Sequence, residues 1–357
     1  MQYRHLPGLA RDVSAIGAGC WTIGGLASNR GVPIGWAGVA PDEAYAALTR
    51  AFEQGVTLFD TADVYGLGRS ERLLGRLLAQ VDRGQVVVSS KVGYFAGTAR
   101  HPYQERQILH QFETTRENLG TEYLDVYFLH SADFGPSDCY LTTAVDTLRR
   151  LRAEGLIRAI GMRAPHEFAE EWATHSGHPQ ATETARFLKL FAFIQPDVVT
   201  TRHNLLSPAY TPGETDIFAF TRKHAVGVLM KQVLGQGLLL GAYSPDTPPS
   251  FPPGDHRHGD ARFAGPAVQA IHDGLAALGG RFGQRPADLA RVALHFALQA
   301  DPNAVALVGF RNPEQIIGSV EALGRPLSLA DIDEIRHLTE PLRAMLAKLP
   351  SPTAHNR

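Results

Sequence analysis

Gly55-Val56-Thr57-Leu58-Phe59-Asp60-Thr61-Ala62-Asp63-Val64-Tyr65-Gly66 decides the fold. Val56 to Phe59 reads as a buried parallel strand, because its residues are apolar almost without break. The strand then delivers an Asp at its end and a Tyr five residues on. Two later segments behave alike. Val86-Val87-Val88-Ser89-Ser90 runs into Lys91, and Leu124-Asp125-Val126-Tyr127-Phe128-Leu129 runs into His130. In a parallel α/β protein the carboxyl ends of the strands form one rim, where active sites sit. Asp60, Tyr65, Lys91 and His130 are therefore expected to meet in space.

The surrounding pattern agrees. Eight strands are predicted near 15–20, 56–59, 86–90, 126–129, 159–162, 198–201, 227–230 and 304–308, with helical segments between them. Pro41 opens a helix over 42–54, and Ser70 is the expected N-cap of a helix over 71–80. Val145, Leu148 and Leu151 make one apolar stripe within 142–154, and Gly155 stops that helix. Pro286 opens a helix whose Leu289, Val292, Ala293 and Phe296 face inward. Residues 329–349 form a last amphipathic helix. Two connections exceed what a barrel crossover needs. Residues 164–196 hold two helical pieces around Ser176-Gly177-His178-Pro179. Residues 243–265 are rich in Pro, Gly and charge and read as a mobile loop over the barrel mouth. The fold expected for 1–357 is thus a single (β/α)₈ barrel with its active site at the C-terminal rim.

Composition narrows the function. A net charge of -2 gives no basis for a nucleic-acid or anionic-membrane partner. Cys20 and Cys139 are the only cysteines, which fits a reducing cytoplasm rather than a disulfide framework. The N-terminus lacks a signal-peptide pattern, and no apolar run reaches the ~18 residues of a membrane span. No His/Cys spacing makes a metal site; His256-Arg257-His258 reads as a solvated part of the Pro-rich loop.

The chain resembles the aldo-keto reductase family. The matching text is Phe59 to Gly66 with Gly68-Arg69-Ser70-Glu71 and Leu74-Gly75, then Ser90-Lys91-Val92-Gly93, Tyr123 to His130, Ile157-Arg158-Ala159-Ile160-Gly161 and Gly309-Phe310-Arg311-Asn312-Pro313-Glu314-Gln315. The resemblance implies carbonyl–alcohol interconversion with NADPH, with Tyr65 as proton donor. Free Tyr is a poor acid, with a pKa of ~10. A cation beside it lowers that value. Lys91, held by Asp60, is the expected cation, and His130 would orient the carbonyl oxygen. Cofactor contacts are expected from Trp21, Arg163, Thr200, His203, Lys231, Leu234, Gly309, Arg311, Gln315 and Ser319. Arg311 would meet the adenosine phosphate.

Several cofactor positions depart from the family pattern. Where Val-Ser-Asn usually follows Ile-Gly, this chain has Met162-Arg163-Ala164. Thr200 and His203 stand where Gln and Tyr are usual, and Gly318-Ser319 where Glu-Asn is usual. Losing two or three hydrogen bonds at ~1 kcal/mol each weakens binding by one to two decades. Arg163 also opposes the positive ring of an oxidised nicotinamide. Two enzyme readings follow: an NADPH-dependent reductase of small carbonyl compounds, or a redox-neutral acid–base enzyme (lyase, epimerase or aldolase type) on an anionic substrate held by Arg163. A non-enzymatic barrel is a third, which four ionisable residues at one rim argue against.

Overall fold

In the computed structural model, which describes residues 1–324 and 326–346, eight parallel strands close into a barrel in chain order. They are Ile16–Gly19, Leu58–Asp60, Val87–Val92, Leu124–Leu129, Ile157–Arg163, Val198–Arg202, Gly227–Lys231 and Ala304–Gly309. The eighth pairs with the first, Ala306 opposite Ile16. All eight fall where the apolar runs predict them, within two residues at each end. A hairpin of Tyr3–Leu6 and Arg11–Ser14 precedes the barrel. Its Leu6 and Val13 join the interior side chains and close the N-terminal end.

Period-two alternation sorts every strand. Leu58, Val87, Val126, Phe128, Ala159, Val198, Leu229, Val305 and Leu307 pack inside the barrel. Ile16, Val88, Tyr127, Ile160, Val199, Val228 and Ala306 face the surrounding helices. Those helices include Pro41–Glu53, Arg69–Leu78, Glu105–Leu119, Leu141–Ala153 and Pro286–Leu298. Val145, Leu148 and Leu151 are buried as their stripe predicts, as are Leu289, Val292, Ala293 and Phe296.

The long connection does hold two helical pieces, Glu170–Thr174 and Ala181–Ile194. The last helix runs over Leu329–Leu346; the rest of its expected span lies outside the described residues. No helix is long and apolar enough to cross a membrane among the described residues.

Two local expectations fail. Ser70 is not an N-cap. The helix starts at Arg69 after Gly68, and the buried Ser70 hydroxyl donates to the Cys20 carbonyl at 2.8 Å. Tertiary packing has taken the capping group for a strand-to-helix tie. Nor is His256-Arg257-His258 a solvated run. Only His258 is exposed. Arg257 is buried and donates to both Asp255 oxygens, at 2.9 and 2.6 Å, while its guanidinium lies 4.0 Å from the Phe251 ring centre and 3.9 Å from that of Trp36. A charge paired and stacked in this way can be buried without the desolvation cost of an isolated one. Composition alone does not show that pairing.

Candidate active site

The same alternation that fills the barrel decides what lines its mouth. One more inward step past Leu58 is Asp60, past Ser89 is Lys91, past Phe128 is His130 and past Gly161 is Arg163. On the sixth and seventh strands the corresponding steps are Arg202, past Thr200, and Lys231, past Leu229. Register agrees, since Thr200 lies opposite Arg163 and Arg202 opposite Lys231. Six neighbouring strands thus carry ionisable side chains into one layer at the C-terminal rim.

Asp60 and Lys91 form the tightest contact there. The Lys91 ammonium donates to both Asp60 oxygens at 2.8 Å and to the Thr61 carbonyl at 2.5 Å. Both side chains are buried, and Ser89 donates a further bond to Asp60 at 2.6 Å. Lys91 Nζ lies 4.9 Å from the centre of the Tyr65 ring. The His130 ring meets Tyr65 edge-on at 6.1 Å between centroids, and Tyr94 edge-on at 4.7 Å. Trp21 stacks on the other side of Tyr65 at 6.0 Å. The four residues do assemble, and Trp21 stands with them.

Tyr65 is delivered by a tight crossing of two backbones. Gly66, at φ +60°, passes directly over Gly24, and a Cβ on either would run into the other's main chain. Only glycine permits that approach, which is why the Tyr is followed by Gly.

Electrostatics correct one expectation. The Tyr65 hydroxyl is held well above its ordinary pKa, first by burial and then by Asp60; the cation that pulls it down is Arg163. Lys91 spends its charge on Asp60. His130 is held well below its usual range, by burial and then by Lys91, Arg163 and Lys231, so its ring is neutral. Its Nδ1 is buried without a hydrogen-bond partner among the described residues.

Beneath the rim lies an acid network that sequence reasoning did not assign. Glu71 is fully buried and accepts bonds from Ser90, Thr115 and Asn118 at 2.8 to 2.9 Å. Asp63 takes one from Gln111 at 3.0 Å, and burial pushes its carboxyl up to about 7. Tyr94, bonded to Arg163 at 3.5 Å, was also missed. So was His256, which lies 4.1 Å from Trp21 and 4.9 Å from Trp36, centre to centre. The only signal for either is aromatic type within a loop, which is weak.

The expected cofactor residues divide. Thr200 and Lys231 stand at the rim with Arg163. Leu234 follows the seventh strand, packed against the apolar layers. Gly309 is exposed at the end of the eighth strand, where a Cβ would press on the Thr22 methyl at 2.8 Å. Arg311 lies against the Gly38 turn, and its backbone N–H donates to Gln315 Oε1 at 2.8 Å. Asn312 caps the helix Pro313–Glu321.

Two candidates point elsewhere. His203 does not present a stacking face at the rim; its ring packs on Phe296 at 5.6 Å and edge-on to Phe218 at 4.8 Å, and burial lowers its pKa to about 4. Ser319 is buried, its hydroxyl tied to the Gln315 carbonyl at 2.8 Å. The His203 ring is covered by the outer helices Ile217–Lys223 and Pro286–Leu298, and Ser319 lies on the buried side of its own helix, Pro313–Glu321.

The buried imidazoles make a pH prediction. His130 and His166 are held far down, and His203 and His256 at about 4, in each case chiefly by burial. Below pH ~6.5 the unfolded chain takes up protons that the folded rings refuse. Each ring's contribution is therefore complete above that pH and is lost as pH falls toward 4, at about 1.4 kcal/mol per pH unit. Asp63 and Glu71 act oppositely, since burial raises both carboxyls and the stabilising proton of Asp63 is lost as pH rises through about 7. Four groups outweigh two. The urea midpoint is expected to rise from pH 5 to pH 6.5 and then level off; a flat or falling midpoint would contradict these environments.

Comparison with known proteins matches this geometry. The model of the Aldo/keto reductase family matches residues 15–340, and the chain belongs to that family of oxidoreductases. An uncharacterized oxidoreductase of Mycobacterium bovis is 30% identical over 344 residues, covering 96% of this chain and 94% of that one. The NADH-specific methylglyoxal reductase of Escherichia coli is 26% identical over 343 residues, covering 92% of this chain and 96% of that one. The structure of a glycerol dehydrogenase from Gluconobacter oxydans superposes with a TM-score of 0.70 at 25% identity, covering 99% of this chain and 98% of that one.

Proposed function

We propose that this chain is a single-barrel NADPH-using oxidoreductase that interconverts a carbonyl and an alcohol, with Tyr65 as the proton donor. The observation that carries the reading is the Asp60–Lys91 pair set 4.9 Å below the Tyr65 ring, with a neutral His130 at its edge. On reduction the Tyr65 hydroxyl gives its proton to the carbonyl oxygen. Lys91 and Arg163 steady the phenolate left behind, and an N–H of the neutral His130 ring orients the same oxygen. Trp21 stacks on Tyr65 and walls the site on that side.

The residues present suit the cofactor's phosphates better than its amide. Arg311, Gln315, Lys231 and the open backbone at Gly309 would hold the phosphate end, and Trp21 and Thr200 would flank the ring. NADPH, when bound, supplies the hydride for the carbonyl carbon. Arg163 opposes a positive ring, so oxidised cofactor is disfavoured more than reduced. Arg163→Ser is expected to tighten NADP⁺ by roughly tenfold, about 1.4 kcal/mol, and NADPH by less. Ala164 is buried among apolar side chains and is left unchanged. Fluorescence titration with both cofactors checks this, and equal changes for the two would remove charge repulsion as the cause.

The titration also decides the main reading. NADPH binding with turnover of a small carbonyl compound supports it. No binding at millimolar NADPH would transfer the same residues to redox-neutral acid–base chemistry, the reading that the cations at the rim favour. Localisation in the cytoplasm is proposed on the two-cysteine composition.

A further inference from the structure

Tyr65 stands on a short loop that strand pairing does not reach. Its ring is placed by packing against Trp21, His130 and the Lys91 ammonium. Its backbone is placed by turns. The Asp63 carbonyl accepts from the Gly68 N–H at 2.9 Å, and the Tyr65 carbonyl accepts from the Ser70 N–H at 3.2 Å. Those turns run straight into the helix Arg69–Leu78. Where that helix sits therefore sets where the Tyr65 hydroxyl sits.

Two buried carboxyls bracket the tyrosine, Asp63 two residues before it and Glu71 six after. Both reach the same helix, Glu105–Leu119. Gln111 donates to Asp63 at 3.0 Å, and Thr115 and Asn118 each donate to Glu71 at 2.9 Å. The three donors follow one another by four and then three residues, which puts them on one helix face. Glu71 also accepts from the Ser90 hydroxyl at 2.8 Å. Ser90 faces outward between Ser89, which serves Asp60, and Lys91. One carboxylate thus joins the segment that carries Tyr65 to the strand that carries Lys91. The joint has no slack, because Gly75 of the first helix lies on the Asn118 carbonyl and a Cβ there would collide with it. Thr61 completes the frame. Its hydroxyl bonds that of Ser70 at 2.9 Å, and its carbonyl takes the Lys91 bond.

Stability alone does not call for this arrangement. A buried charged group and its partners are often replaceable by apolar side chains of similar volume at no loss of stability. What apolar packing lacks is direction. A saturated hydrogen-bond network fixes distance and angle together. Proton transfer needs that precision, since a misplacement of about 1 Å costs on the order of 10²-fold in rate.

We propose that Glu71, seconded by Asp63, is a positioning residue for the reaction: it fixes the Tyr65 hydroxyl relative to Lys91 by tying the helix after Tyr65 to the third strand and to the helix Glu105–Leu119. The proposal rests on reading Tyr65 as the proton donor. Both carboxyls lie between the barrel and its helices, so they act only through the residues they hold.

The test follows the Tyr65 ring in the full chain, without cofactor, by NMR of tyrosine labelled with carbon-13 at Cζ. The Tyr65 resonance is the one missing from Tyr65→Phe. Glu71→Leu alone would strand the Ser90 and Thr115 hydroxyls, so it is combined with Ser90→Ala and Thr115→Val, which leaves the joint apolar. This triple variant is expected to melt within a few degrees of wild type and yet to show a broadened or divided Tyr65 resonance, where wild type shows one narrow line. Glu71→Gln keeps an oxygen for Ser90 and Thr115 and should restore the single line. With NADPH and glyceraldehyde, the triple variant should lose about 10–100-fold in kcat with KM little changed, and Glu71→Gln should recover most of that loss. One narrow Tyr65 line in the triple variant overturns the proposal, whatever the turnover. So does wild-type kcat beside a divided line, because the position of the ring would then not matter. Should the triple variant not fold, Thr115→Val carries the test, and an unchanged Tyr65 line in it is equally fatal. Full turnover in Tyr65→Phe would remove the proton-donor reading and this role with it. An inactive Tyr65→Phe beside a fully active triple variant would remove the positioning role alone.

Discussion

Tyr65→Phe is expected to lower turnover by about 10²–10⁴-fold, the usual worth of a positioned general acid, while leaving the fold intact. Only a hydroxyl is lost. The Tyr65 ring keeps its contacts with Trp21 and His130, and no hydrogen bond to its hydroxyl is broken, since none is made within the described residues. The hydroxyl is held protonated well past neutrality by burial and by Asp60. Reduction, which needs the proton, should therefore be flat with pH through neutrality. Oxidation of the alcohol needs the phenolate and should rise toward alkaline pH. Both profiles, with circular dichroism of the variant, are the measurements. Full turnover in Tyr65→Phe on a substrate that wild type reduces would assign the proton to another group.

The barrel was legible because its strands are apolar runs of the right length, and because Asp60, Lys91 and His130 sit on the inward phase of that alternation. A one-residue slip would have turned all three onto the helix layer. Arg163 was legible for the same reason, as a departure at a known inward position. Position along the chain failed where the backbone leaves the strand. His203 lies just past the sixth strand, and its ring turns outward onto Phe218 and Phe296. Ser70 has the type and place of a cap, yet its hydroxyl donates instead to the Cys20 carbonyl just past the neighbouring first strand. Arg257 looked solvated because Asp255 and Trp36, which make its burial affordable, cannot be recognised as its partners from sequence. The tyrosine's electrostatics were misjudged similarly. Lys91 as a lone cation would acidify Tyr65, but burial and the charge of Asp60, which pairs Lys91 through both oxygens, hold the resting hydroxyl high.

That pairing makes Lys91→Met the most damaging single change at the rim. The variant strands the Asp60 carboxylate in a site where both partners are buried, leaving it the Ser89 hydroxyl. Removing one member of a buried ion pair costs about 3–5 kcal/mol. Asp60 would regain part of this by taking up a proton, so the loss should be larger at pH 8 than at pH 5. The double variant Lys91→Met with Asp60→Asn removes the stranded charge, and its stability should return to within about 1–2 kcal/mol of wild type. Activity is expected to behave differently. Neither variant supplies a cation beneath Tyr65, so turnover should stay low in both. Urea unfolding and turnover of the three proteins separate the two roles. If the double variant regains turnover along with stability, the Asp60–Lys91 pair merely holds the barrel rim together, and the cation that serves Tyr65 is Arg163 alone.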